Sequence, residues 1–227
     1  MKHACNIIDL GKIDYRGAYY LQKRIVEEIK FGLTRETILF CEHSSVITLG
    51  RTGKMSNLLG DIEDLKKVGI DFFKVDRGGD ITTHEPGQIT VYPIFDLKKR
   101  NEKDIHLYLN KLQEVIKLTL SDYNIKAEII DGLTGVWVKK RKIASIGVGI
   151  SHWITYHGLS VNVNNCLKTF SFVKPCGMDI EMTSLSKELN YEIDIEIFKS
   201  KLLDSFFKVF NLRKGVENEK SNFARIR

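Results

Sequence analysis

Amphipathic helices set apart by runs of consecutive strand-like segments predict an α+β domain for this 227-residue chain. Residues 15–30, 105–120 and 194–210 repeat apolar side chains at three- and four-residue steps, the period of a half-buried helix. Between them lie short segments rich in β-branched residues that follow one another without a helix, which argues against a strictly alternating βαβ sheet. With 43% hydrophobic residues, three prolines and no linker or repeat, the chain is expected to form one domain. A core of that size buries roughly 70–75% of the surface of the unfolded chain.

In order, residues 15–30 place Tyr15, Ala18, Tyr19, Gln22, Ile25 and Ile29 on one stripe, with Lys23, Arg24, Glu27 and Glu28 opposite. Residues 37–41 and 45–49 read as strands, as does 89–92, where Pro93 predicts a sheet edge or a strand end. The second helix buries Ile105, Leu109, Leu112, Val115, Ile116 and Leu120. Strand-like segments follow at 126–130, 135–139, 143–150 and 159–163. The last helix buries Ile195, Phe198, Leu202, Phe206 and Phe210, aromatics that read as core. One domain is expected over 1–214, with a polar tail at 215–227.

The charge balance, 35 Lys+Arg against 29 Asp+Glu, is mildly basic and spread along the chain. Its one concentration is Lys139-Lys140-Arg141-Lys142. Four cysteines without a CxxC pair make neither a disulfide framework nor a zinc site, which points to a reducing compartment. Cys41 and His43 are a fragment of a metal site that nothing nearby completes, so no metal is expected. No signal peptide and no membrane-length apolar run is visible, so a soluble, cytoplasmic protein is expected.

Nucleotide motifs fail: in the run from Gly50 to Lys54, Met55 stands where a phosphate loop needs Ser or Thr. The stretch DRGGDITTHEPGQ, residues 76–88, crowds Arg, paired glycines, Thr, His and Gln into a dozen positions, and reads as a binding loop or as an ordinary connection. Taken alone, Lys142 reads as a general base or, more simply, as the last member of a basic turn, and His157 as a structural histidine. Pro175-Cys176-Gly177 leaves a sulfur at a turn with little bulk around it. A thiol of ordinary pKa is only about 3% ionised at pH 7; one near 7 is about half ionised, a gain of roughly 2 kcal/mol within reach of one close ammonium. Cys5, Cys41 and Cys166 lie in apolar or strand-like surroundings and read as inert buried sulfur.

Taken together, ITLGRTG, RGGDITTHEPGQITVYPI, GVWVKKRKIASIGVGISHWITYHGLSVNV and FSFVKPCGM followed by TSL resemble the octanoyltransferases, also called lipoate-protein ligase B, from Ile7 to about Phe210. The resemblance implies a biotin/lipoate protein ligase fold, like that of class II aminoacyl-tRNA synthetases: a mainly antiparallel sheet flanked by helices. It implies a two-step transfer without cofactor or metal. Octanoyl-acyl carrier protein loads a cysteine, and the thioester passes its acyl group to a lysine of a lipoyl domain, in E2 subunits or the glycine-cleavage H protein. The family's nucleophile falls on Cys176 and its lysine on Lys142, a dyad in which Lys142 lowers the Cys176 pKa and relays protons. Family-like substrate contacts fall on Arg77, Gly78, Gly79, Asp80, Ile81, Thr82, Thr83 and His84. Further ones fall on Ser145, Ile146 and Gly147, and on Gly158, Leu159 and Ser160, with His157 in support. One departure stands in the RGGDITTHEPGQITVYPI motif: Glu85 occupies the position of a family glycine, so either the turn differs or Glu85 faces solvent. Acyl carrier proteins and lipoyl domains are acidic, which makes the 139–141 run a candidate docking patch. Neither nucleic acid nor membrane is expected as a partner, and a monomer is expected. Two rival readings remain: an ATP-dependent lipoate or biotin ligase, and a non-catalytic module that binds acylated carrier proteins.

Overall fold

The computed structural model describes residues 2–175 and 180–215. The chain runs through β1 (His3–Lys12), α1 (Tyr15–Lys30), β2 (Thr37–Glu42), β3 (Val46–Leu49), α2 (Ile62–Lys67), β4 (Asp71–Lys74), β5 (Ile81–His84) and β6 (Gln88–Ile94). It continues through α3 (Ile105–Ser121), β7 (Val136–Val138), β8 (Arg141–Ser151), β9 (Ile154–Asn162), α4 (Leu185–Leu189), α5 (Ile195–Val209) and β10 (Leu212–Lys214). The three long helices stand where the periodicity predicts. Each begins at an aspartate whose carboxylate accepts from first-turn amides: Asp14 from Gly17, Asp104 from Leu107, and Asp194 from Glu196 and Ile197.

Among the described residues, seven strands form one sheet in the order β10-β1-β2-β6-β9-β8-β7. β1 runs parallel to both β10 and β2, and the remaining neighbours are antiparallel, so the sheet is mainly antiparallel as expected. The parallel step β1–α1–β2 was not legible, because β1 is half-exposed and carries no clean alternation. Helices cover both faces. In β2, Ile38 and Phe40 point into the core shared with α3 and α5, while Leu39 and Cys41 pack on α1, as the two-residue period of a strand requires. A three-stranded sheet, β4-β3-β5, forms a third core with α2 through Ile47, Leu49, Leu65 and Ile81.

Several expectations are corrected. β6 is central, not an edge; Pro93 lies beyond the last residue of the β6–β9 ladder, Val91 opposite Leu159, so no sheet amide is lost there. Residues 126–130 make one bridge, Glu128 with Trp137 of β7, which is the border strand of the sheet among the described residues. Four residues of the stretch read as a binding loop or a connection form a strand: β5 pairs with β3 from Ile81 opposite Leu49 to His84 opposite Val46. Apart from Gly215, the polar tail lies outside the described residues. No helix among the described residues is long and apolar enough to cross a membrane.

Candidate active site

A cavity of about 160 Å³ lies where β5 of the small sheet faces β6, β8 and β9 of the large one. A space of this order admits one small apolar group. Its floor is a cross-strand ladder. In the β8–β9 hairpin Ser145 stands opposite Ser160, Ile146 opposite Leu159 and Gly147 opposite Gly158, so two triplets separate in sequence form one surface. All six line the cavity.

The RGGDITTH stretch supplies the facing wall: Arg77, Gly79, Asp80, Ile81, Thr82 and His84 line the cavity, and Gly78 and Thr83 do not. Gly78 instead donates its amide to Val148 O (2.7 Å), docking the two sheets, and Thr83 is buried opposite Ile47. Arg77 is buried; its Nη2 donates to Thr48 O (2.8 Å) and Thr48 Oγ1 (2.9 Å), which leaves it a scaffold for the glycines beside it. Asp80 accepts from Asn57 Nδ2 (2.5 Å) and the Lys54 amide (3.2 Å), tying the loop after β3 to the wall.

His84 can be given a protonation state. Gln88 Nε2 donates to Thr83 O (3.2 Å) and Asn162 Oδ1 (2.9 Å), so Gln88 Oε1 accepts from His84 Nδ1 at 2.7 Å. Burial, with the His43 ring nearby, pushes the His84 pKa down to about 3. The ring is therefore neutral at physiological pH, with Nδ1 protonated and Nε2 an acceptor.

His157 also lines the cavity. Its Nε2 donates to Asp76 Oδ1 (3.0 Å), and its Nδ1 faces the Tyr15 hydroxyl at 3.5 Å. Burial pushes the Asp76 carboxyl up, but the hydrogen bonds from His157, Lys23 (2.7 Å) and Tyr156 (2.8 Å) outweigh it and hold the group well below the usual carboxylate range. Asp76 thus stays ionised and orients the His157 ring. Neither Asp76 nor Tyr15 was singled out in the sequence, where the former begins a loop motif and the latter is one member of a helical stripe.

Lys142 enters the cavity wall from the start of β8 and is buried, with its Nζ 5.2 Å from the centre of the Trp137 ring. Its backbone is held on two sides. Trp137 pairs with it in the β7–β8 ladder, while its amide donates to Glu181 O (2.8 Å) and its carbonyl accepts from the Thr183 amide (2.9 Å). Glu181 lies five residues after Cys176 in the chain, and Pro175, the residue before Cys176, lines the same cavity. Cys176 itself lies outside the described residues. Of the other cysteines, Cys5 and Cys41 are buried as expected, but Cys166 is exposed.

Two further expectations change. Arg141 donates to Glu188 Oε1 at 2.6 Å, and Glu188 also accepts from Thr183 Oγ1 at 2.6 Å. Arg141 is therefore a strut between β8 and α4; Lys139 and Lys140 are exposed, and Lys139 Nζ also lies 3.7 Å from Glu188 Oε2. Glu85 does not face solvent: it is 2% exposed and keeps a negative φ, so its backbone does not need glycine's freedom. The positive φ of the turn falls on Gly87. Residue-type reasoning also missed Thr90 and Tyr92 of β6, Gly132 to Thr134, and Met182. Thr90, a polar residue inside a fully buried strand, was the one signal available.

Comparison with known proteins accords with this arrangement. A family model described as the lipoyl protein ligase A/B catalytic domain matches residues 14–207. An octanoyltransferase of Parabacteroides distasonis is 42% identical over 89% of this chain and 96% of its own. One of Solibacter usitatus is 44% identical over 80% of this chain and 82% of its own. The chain belongs to the octanoyltransferase family. Its fold is that of lipoate protein ligases: a bipartite lipoate protein ligase of Thermoplasma acidophilum superposes with a TM-score of 0.71 at 16% identity, over 96% of this chain and 89% of the other. As a family member the chain is an acyltransferase, and the two triplets, the β5 wall and Lys142 meet in one cavity of this transferase domain.

Proposed function

We infer that this enzyme takes an octanoyl group from octanoyl-acyl carrier protein onto Cys176 and passes it to a lysine of a lipoyl domain, on an E2 subunit or a glycine-cleavage H protein. The observation that carries this reading is the meeting of Lys142, Pro175 and Met182 in the wall of one cavity floored by the paired triplets, within a chain of the octanoyltransferase family. In the first step the Cys176 thiolate attacks the donor thioester carbon, the bond to the carrier sulfur breaks, and that sulfur leaves as a thiolate that takes up a proton. In the second, a neutral lysine amine of the acceptor attacks the enzyme thioester and Cys176 leaves as thiolate. Lys142 holds and returns the proton in each half. Because a thioester is already activated, no adenylation step is required, and neither ATP nor a metal has a role. The paired triplets and the β5 wall receive the alkyl chain.

Intact mass after mixing with octanoyl-acyl carrier protein, without ATP, tests the reading. A single octanoyl adduct, removed by hydroxylamine and absent from Cys176→Ala, is expected. Lys142→Ala should lower the transfer rate by about 10²-fold or more, the usual worth of a positioned acid–base group. An adduct that persists in Cys176→Ala would overturn the covalent route, and a requirement for ATP and free octanoate would return the chain to the ligase reading.

A further inference from the structure

Glu85 stands between the cavity wall and the segment that leads to Cys176. It is a buried carboxylate with no salt-bridge partner among the described residues. Its charge is met by N–H donors instead: Oε1 accepts from the Leu167 amide (2.6 Å) and Asn165 Nδ2 (2.9 Å), and Oε2 from the Thr169 amide (3.0 Å). Leu167 is left-handed (φ 64°), and the next residues form the 3-10 turn Lys168–Phe172, so two amides converge on the carboxylate as in an anion-binding nest. This turn leads directly to Pro175.

The network reaches the other flank as well. Asn165 Nδ2 also donates to Asn162 Oδ1 (3.2 Å), which accepts from Gln88 Nε2 too, and Asn162 Nδ2 donates to Thr183 O (3.0 Å). Thr183 is the residue whose amide bonds to the Lys142 carbonyl. One contiguous set of buried hydrogen bonds therefore joins residues 165–169, Thr183, Lys142 through its backbone, and His84 through Gln88.

We propose that Glu85 is a positioning residue: with Asn162, Asn165 and Gln88 it clamps both flanks of the segment carrying Cys176, and so sets the alignment of that segment with Lys142. This rests on the transferase reading above. A carboxylate suits the place because it has four acceptor sites and no donor, whereas three N–H donors and, at 4.0 Å, the Cys166 Sγ converge on it. Residue 85 does not touch the cavity, so the clamp acts on the rate of acyl transfer and not on donor binding.

The test is Glu85→Gln in the full chain, with single-turnover acylation by octanoyl-acyl carrier protein, melting temperature, and amide hydrogen exchange. Glutamine keeps the shape and turns an NH₂ group towards an incoming N–H. The expected result is a maximal acylation rate about tenfold lower at an unchanged half-saturating donor concentration. Exchange should quicken on both flanks, at 167–169 and at 180–183. Asn165→Ala, which removes both the donor to Glu85 Oε1 and the link to Asn162 Oδ1, should show the same pattern on both flanks and serves if Glu85→Gln does not fold. Wild-type acylation by a folded variant, or faster exchange confined to 167–169, would overturn the proposal. A higher half-saturating concentration at an unchanged maximal rate would do the same. Failure of the unsubstituted protein to acylate would remove the transferase reading instead, and exchange at 180–183 would still decide whether the clamp exists.

Discussion

Lys142 owes its place in the cavity wall to the absence of a side chain at Gly135. A Cβ at residue 135 would lie 2.6 Å from Lys142 Cε and 2.7 Å from Ala144 O, and the residue has φ 143°, where side chains are strained. The Ala144 carbonyl is fixed in the β8–β9 ladder, so the lysine stem is what must move. Gly135→Ala is expected to lower acylation at least tenfold by displacing the ammonium, and to destabilise the fold by about 1–2 kcal/mol. Single-turnover acylation beside thermal melting separates the two; an unaltered rate would show that the lysine reaches its position by another path. His84 and His157 are fixed in a similar way, each by one hydrogen-bond partner that decides which ring nitrogen carries the proton.

At the scale of elements, Arg100, which does not line the cavity, joins the start of β2 to the end of α5. Its side chain is fully buried and donates through Nε (2.8 Å) and Nη2 (2.7 Å) to Glu36, and through Nη1 to Phe210 O (3.1 Å). The guanidinium also lies over the Phe95 ring at 4.5 Å. It thereby ties the start of β2, the loop after β6 and the end of α5. Removing one partner of a buried pair leaves the other charge uncompensated, so Arg100→Ala should cost about 3–5 kcal/mol. Urea denaturation would measure this, and the folded fraction should retain its acylation rate because no cavity residue is touched. A loss below about 1 kcal/mol would mean that Glu36 finds solvent or another donor. The long helices themselves were legible, since each pairs an aspartate cap with a regular apolar stripe. β1 and β10 were not, because a parallel strand on a half-exposed border has neither alternation nor turn chemistry of its own.

For the molecule as a whole, the buried histidines couple stability to pH. Burial pushes His43 and His157 down and His84 down to about 3. Each is harder to protonate in the folded state, His84 most of all, whereas in the unfolded chain each protonates near its ordinary pKa of about 6.5. The unfolded state therefore takes up more protons as the pH falls, and stability declines below pH 6.5 after a plateau above it. For His84 alone the loss at pH 5 is roughly 2 kcal/mol, with the decline continuing towards pH 3. Denaturation at pH 7.5, 6 and 5 checks this. A flat profile through pH 5 would show that these rings have access to water or to a counter-charge.

Local pattern alone determined the three long helices, the β-rich middle of the chain, and the motifs that carry the family resemblance, because period and residue type are written in neighbouring residues. Tertiary structure alone decided that residues 145–147 face 158–160 one to one, since register is set between strands. It also decided that Arg141 is spent on Glu188 and that Asp76 orients His157. Glu85 is the clearest case. As a departure from a motif it left open a changed turn or a solvent-facing carboxylate. The fold buries it against the amides of Leu167 and Thr169, more than eighty residues away in sequence, and no local rule reports a partner at that distance.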